Sequence, residues 1–444
     1  MRHSPCFLVP NDCYTGKTIS ILHCWGFSLL SFFRLFLCHS CISPTPSTHT
    51  HTTSHTTLIM APGILVDTTE SSRRDALNKR NDEAPRSVFP DGIRTSGQHA
   101  PLYDRLRPYS DFPTEISGPT VWRREEYVNN PERWVHPFTD AEIAELSATA
   151  EAFIAAGTPL TGISKSNFPL PTLGPVLASL REDLLNGKGF ILFKRFPADV
   201  WSPQKNATAY MGLGTYLGYF VSQNGRGHVL GHVKDVGDDP TQIHAVRIYR
   251  TTARQFFHAD DGDIVGLLCV HRAAEGGESD IVSVHNVWNT LQKEHPDVAE
   301  TLTKPIWYFD RKGEVSHGQD GWVRQPVVYL ENGGQGRVYC KWDPYYVRSL
   351  TRFSEAGLIP PLSEEQLRAM RILEETCQRL SLHMVLEVGD IQFVSNAHLL
   401  HARTEYKGKF YCLFTVFTEY ADNDDRLPGT STQETPAPLV ACYA

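Results

Sequence analysis

The chain contains no C-x-x-C pair, no H-E-x-x-H, no extended run of basic residues and no internal repeat. Each absence excludes something. Without C-x-x-C there is neither a thiolate zinc site of that type nor a redox dithiol. Without H-E-x-x-H, the helix-borne zinc site of a metalloprotease is missing. With 42 Lys and Arg against 50 Asp and Glu, the formal net charge is -8, and no surface of a general nucleic-acid binder is indicated. Long apolar runs are scarce too. Ile19 to Phe33 is the main one, 15 uncharged residues ended by Arg34. That is short for a membrane span and closer to the core of a signal peptide.

What is there suits a folded domain. The sequence has 444 residues, 41% of them hydrophobic, enough for one large domain or two smaller ones. Five of the ten cysteines crowd the first 41 residues, and the other five are scattered, as in a reducing compartment. Residues 1–59 differ from the rest, with a low-complexity Ser/Thr/His/Pro segment from Ser43 to Thr57. They read as a leader upstream of a start at Met60. With such a start the expectation is a cytoplasmic protein with no membrane partner; a secretory or anchoring segment is the alternative. Residues 60–115 are polar and read as a flexible lead-in. Residues 116–408 read as the folded domain and 409–444 as an atypical tail. A homo-oligomer is compatible with all of this.

Local patterns place the elements. Thr139-Asp140-Ala141-Glu142 is a capping box opening a helix to about Gly157. Further helices are expected over about Leu173–Leu185 and Pro203–Leu217, with a buried strand at Phe190–Phe193 between them. Gly212-Leu213-Gly214 has the wrong spacing, and no strand leads into it, so no dinucleotide-binding turn is read there. Asn332-Gly333 marks a hairpin between Val327–Leu330 and Arg337–Cys340. Ser363 caps a helix whose Leu367, Met370, Leu373, Cys377 and Leu380 read as core. Many short strands with a few covering helices point to a mainly β sandwich or barrel.

The chemistry centres on His258-Ala259-Asp260. In a strand, positions i and i+2 face the same way, so both side chains can reach one ion. A second histidine, 398 or 401, would complete two imidazoles and a carboxylate, the facial set that holds iron(II) and leaves the opposite side open. His398 and His401 are three apart and face opposite sides of a strand. Asp261 and Asp263 are expected to serve the turn. An H-x-D pair alone also describes a surface pair at a strand end.

The order Arg254-Gln255-Phe256-Phe257-His258-Ala259-Asp260, then Glu275-Gly276-Gly277-Glu278-Ser279, then Gly389-Asp390-Ile391-Gln392-Phe393 running into His401 resembles the TauD/TfdA family of Fe(II)- and 2-oxoglutarate-dependent dioxygenases. The likeness runs from about Gly118 to about Tyr406. It implies a double-stranded β-helix, or jelly roll, with iron(II) held by His258, Asp260 and His401. It implies 2-oxoglutarate as co-substrate, with Ser279 on its far carboxylate, and molecular oxygen as a reactant. The implied reaction oxidises, typically hydroxylates, a small organic and in some versions anionic substrate, releasing succinate and CO2. Asn224, Tyr249 and Arg254 are candidate substrate contacts, and Arg254 or Arg250 would hold an anion.

One departure stands out. The family pattern places arginines about 11 to 15 residues beyond the distal histidine, but here that window reads Cys412-Leu413-Phe414-Thr415-Val416. Lys407 or Lys409 would give a point charge instead of a fork. A catalytically silent jelly-roll protein binding a metal or small ligand is therefore the rival reading. A zinc hydrolase on the same triad is a third.

Overall fold

Alternation within the strands decides the architecture. The computed structural model describes residues 106–221, 223, 228–313, 315, 318–330 and 337–418. The strands of its two principal sheets are β1 (Val135–Pro137), β2 (Phe190–Lys194), β3 (Tyr219–Phe220), β4 (Gly231–Val233), β5 (Gln255–His258), β6 (Ile264–His271), β7 (Ser279–Ser283), β8 (Leu382–Met384), β9 (Ile391–Ser395), β10 (Leu399–Arg403) and β11 (Tyr411–Thr418). The larger sheet runs β1-β2-β9-β6-β11-β3, with β4 also on β11. The smaller runs β8-β7-β10-β5. Only the β1–β2 pair is parallel among these.

Every residue of β9 and β10 is buried, so both faces of both sheets are covered. Three hydrophobic layers do this. Between the sheets lie Leu192, Val265, Cys269, Ile281, Val394, Leu399, Cys412 and Val416. Outside the larger sheet, helices α1 (Asp140–Ala155), α2 (Leu173–Asn186) and α3 (Pro203–Gly214) bring Leu146, Leu177 and Leu213 onto Phe193, Phe393 and Leu413. Outside the smaller sheet, α4 (Val284–Glu294), α5 (Pro296–Thr303) and α6 (Glu364–Leu380) bring Trp288, Leu302 and Leu373 onto Phe257, Val282 and Leu400. Two mainly antiparallel sheets with helices on their outer faces are the expected jelly roll.

The caps form as the sequence implies. Glu142 N–H donates to Thr139 Oγ1 at 3.3 Å, and Thr139 N–H donates back to Glu142 Oε2 at 2.7 Å. Ser363 and Gln366 form the same reciprocal box at α6. The strands Val328–Leu330 and Val338–Cys340 pair antiparallel, as a hairpin requires. Its turn, Asn332-Gly333, lies outside the described residues, as do residues 1–59.

Three expectations need correction. Leu367 is 45% exposed. Side chains lean toward a helix's N-terminus, and this one lies near the start of α6, whereas Met370 and Leu373 further along are buried. The domain also begins before residue 116. Phe112 and Ile116 are buried, the Phe112 ring sits 5.6 Å from that of Trp288, and Ile116 N–H donates to Asn289 Oδ1 at 2.7 Å. A few apolar residues in a polar segment suffice to dock it on α4. Finally, residues 411–418 are no tail. They form β11, which pairs with β6 from Tyr411 to Phe417. An unbroken run of eight with no charged residue, six of them aromatic or β-branched, is what a strand covered on both faces looks like.

Candidate metal centre

The site is built by one strand pairing. β5 and β10 are antiparallel neighbours, with His401 directly opposite His258. Their rings lie 4.2 Å apart between centroids. His258 is 3% exposed and His401 9%.

Asp260 reaches the same point differently from the expectation. β5 ends at His258, so Asp260 lies beyond the strand and not on its alternating face. The turn after it is held by Asn396, which sits between β9 and β10 and is itself buried. Asp260 N–H donates to Asn396 Oδ1 at 2.9 Å, and Asn396 Nδ2 donates to the carbonyls of Asp260 and Gly262, the latter at 2.9 Å. Gly262 has φ +90°, and a Cβ there would meet Val416 Cγ1 at 2.4 Å. Asp263 does serve this turn: Thr418 Oγ1 donates to its Oδ2 at 2.8 Å.

The result is three donors around one point. His401 Nε2 is 3.1 Å from Asp260 Oδ2, His258 Nε2 is 3.8 Å from Asp260 Oδ1, and one ligand atom from each of the three residues lies within 4.8 Å of the others. Ligands about 2.1 Å from an ion and cis to each other sit about 3 Å apart, so small adjustments admit a metal. His258 Nδ1 lies 2.8 Å from the Phe256 carbonyl, which can only accept. The proton is therefore on Nδ1, and the Nε2 lone pair faces the site. The Gln255 amide donates to that lone pair at 2.8 Å. Neutral imidazoles and one carboxylate, gathered on one side, fit iron(II).

Electrostatics agree. Burial, reinforced by the charge of His401, pushes the His258 pKa down to about 4. Burial would raise that of Asp260, but the hydrogen bond from His401 and the electrostatic influence of the neighbouring imidazoles and Lys341 outweigh it and hold the carboxyl below its usual range. Both groups are thus ligands without a proton to lose near neutrality.

The other candidates divide. Ser279 is buried on β7 opposite Arg403, and its hydroxyl donates to Gln392 Oε1 at 3.0 Å. Arg254 is paired with Glu374 at 2.6 Å, and Arg250 with Asp238 at 2.9 Å, so their charges are already answered within the fold. Tyr249 lies in an exposed 3-10 turn. Asn224 lies outside the described residues. His398 is structural, 2.8 Å from the Leu185 carbonyl. Sequence reasoning missed the roles of Asn396 and Gln255. It also missed Lys341, whose Nζ is buried without a hydrogen-bond partner and whose charge helps lower the Asp260 pKa. Nothing in their local pattern marks these residues, since each acts across the fold.

The family profile described as "Taurine catabolism dioxygenase TauD, TfdA family" matches residues 156–411, more than half of the chain. The chain belongs to that family of 2-oxoglutarate-dependent dioxygenases. It is 27% identical over 293 residues to FR-33289 synthase of Streptomyces rubellomurinus (strain ATCC 31215), covering 66% of this chain and 84% of that protein. It is 27% identical over 302 residues to the taurine hydroxylase-like protein SAT17 of Stachybotrys chartarum (strain CBS 109288 / IBT 7711), covering 66% and 75%. An asparagine oxygenase in complex with Fe(II), 2S,3S-3-hydroxyasparagine and succinate superimposes with a TM-score of 0.49 at 16% identity, over 65% of this chain and 94% of that one. The cofactor and co-substrate of this class are Fe(II) and 2-oxoglutarate, and the donor set fits the metal.

Two outcomes follow from the geometry. His258 has a folded-state pKa near 4 and an ordinary unfolded value near 6.5. Between these values the unfolded chain binds the extra proton. Metal-free stability therefore rises as pH increases from about 4 to about 6.5, by up to about 3 kcal/mol. Urea unfolding across that window checks it; the rise should shrink in His258→Gln. Asn396→Ala should weaken Fe(II) binding about 10- to 100-fold by freeing the Asp260 turn, read by anaerobic competition with a chelator.

Proposed function

We propose that this dioxygenase hydroxylates a small anionic organic molecule in the cytoplasm. The observation that carries the chemistry is the convergence of His258, Asp260 and His401 on one point. When bound, iron(II) and 2-oxoglutarate activate O2, so that R–H, O2 and 2-oxoglutarate yield R–OH, succinate and CO2. The chain's own residues do the rest. The Phe256 carbonyl fixes the His258 tautomer, and Asn396 fixes the Asp260 turn. The Gln255 amide lies 2.8 Å from His258 Nε2, beside the atoms that would hold the metal.

Lys341 supports an anionic substrate. Its buried ammonium has no hydrogen-bond partner and acts on Asp260, so an anion entering beside the metal would complete it. Arg254, the residue first considered for that role, is occupied by Glu374. The name of one relative, taurine hydroxylase-like, is compatible with a small anionic substrate. A reducing compartment is supported by Cys269, Cys340, Cys377 and Cys412, all free and buried. No helix among the described residues is long and apolar enough to cross a membrane.

Succinate formation tests the reading. It should require Fe(II), O2 and 2-oxoglutarate together, rise when small anionic compounds are added, and fall at least about 100-fold in His401→Ala or Asp260→Ala. Oxygen-independent activity supported by Zn2+ would point to a hydrolase instead.

A further inference from the structure

Next to the triad, between the two sheets, a buried cation lacks an anion. Arg403 follows His401 by two residues on β10 and so shares its inward face. It is 8% exposed. Its Nη2 donates to the backbone carbonyls of Thr251 at 3.1 Å and Ala253 at 2.5 Å. Its Nε and Nη1 are buried and have no hydrogen-bond partner. No carboxylate pairs with it among the described residues. The guanidinium lies over the rings of Tyr406 at 4.7 Å and Phe410 at 5.7 Å. A desolvated guanidinium with open donors is costly unless an anion completes it.

The surroundings suit a carboxylate. Ser279 sits directly opposite Arg403 on β7, and its buried hydroxyl, which donates to Gln392 Oε1 at 3.0 Å, can rotate from that acceptor to a carboxylate. The buried Tyr406 hydroxyl lies beside the Arg403 guanidinium and makes no hydrogen bond of good geometry. Across the sandwich, Cys412 of β11 is close enough for the Arg403 charge to act on its thiol. Cys412 stands 11 residues beyond His401, inside the window where the family pattern has arginines and this chain has none. The inward side chains there, Cys412 and Val416, are uncharged. Charge reaches the same space from the opposite sheet. Along β10, Arg403 lies about 7 Å from His401, a distance comparable with the reach of a five-carbon diacid whose other end chelates a metal at the triad.

We propose that Arg403, with the hydroxyls of Ser279 and Tyr406, binds the carboxylate of 2-oxoglutarate remote from the metal, replacing the arginine absent from β11. The proposal rests on the oxygenase reading above, and the rival reading of a silent protein loses its main support if it holds.

The test uses the full chain, loaded anaerobically with Fe(II), and two probes of equal chain length. One is 2-oxoglutarate; the other is 2-oxovalerate, which lacks the remote carboxylate. Binding is read from the visible charge-transfer band of the chelate. The wild type should bind 2-oxoglutarate at least about ten-fold more tightly than 2-oxovalerate, and Arg403→Met should bring the two dissociation constants together while 2-oxovalerate binding and Fe(II) affinity are kept. A purely structural arginine would lower both affinities alike or neither. If Arg403→Met does not fold, Ser279→Ala and Tyr406→Phe decide: each should reduce the preference several-fold. A preference that survives in folded Arg403→Met, or in both hydroxyl variants, overturns the assignment, as does a wild type with no preference. No band with either acid overturns the oxygenase reading itself, and with it this proposal.

Discussion

The register between β5 and β10 is the constraint on which the rest depends. It sets His401 opposite His258 and, through the neighbouring pairing with β7, Arg403 opposite Ser279. A slip of one residue would turn both inward side chains outward and bring Leu400 and Ala402 into the space between the sheets. The hydrophobic layers prevent that slip. Leu399 belongs to the inter-sheet core, whereas Leu400 and Ala402 pack under the outer helices. The ordinary drive to bury apolar surface thus positions the polar groups that carry chemistry.

The third ligand is supplied by a turn, and the turn is tied down from several directions. Asn396 binds its start and Asp263 binds its end to Thr418 of β11. That makes β11, which links β6 to the short edge strands β3 and β4, a structural support of the metal centre as well. Backbone amides and a side-chain amide do here what a strand's alternation was expected to do. The cost of carrying two polar turn residues in the core is offset by full hydrogen bonding.

Much of the fold was legible because it is local. The capping boxes at Thr139 and Ser363 and the apolar run at Phe190 are read directly from neighbouring residues. The metal ligands were legible because H-x-D and the distal histidine sit in recognisable segments. What escaped acts at long range. Asn396 contacts Asp260 across 136 positions, and Arg403 reaches Thr251 across 152. The strand at 411–418 is legible as an apolar β pattern, but its place beside β6 is set by Ile264–His271, far earlier in the chain. Arg254, chosen for its nearness to His258 in sequence, is drawn away by Glu374 on α6, which no local pattern reveals.

Membership of the TauD/TfdA family and the geometry of the three donors support each other, and neither depends on the missing arginine window. The most direct measurement is anomalous diffraction at the iron edge from crystals grown anaerobically with Fe(II). One peak should lie between His258 Nε2, His401 Nε2 and the Asp260 carboxylate, with the Gln255 amide moved aside. Iron bound elsewhere, or held without all three of these side chains, would contradict the account.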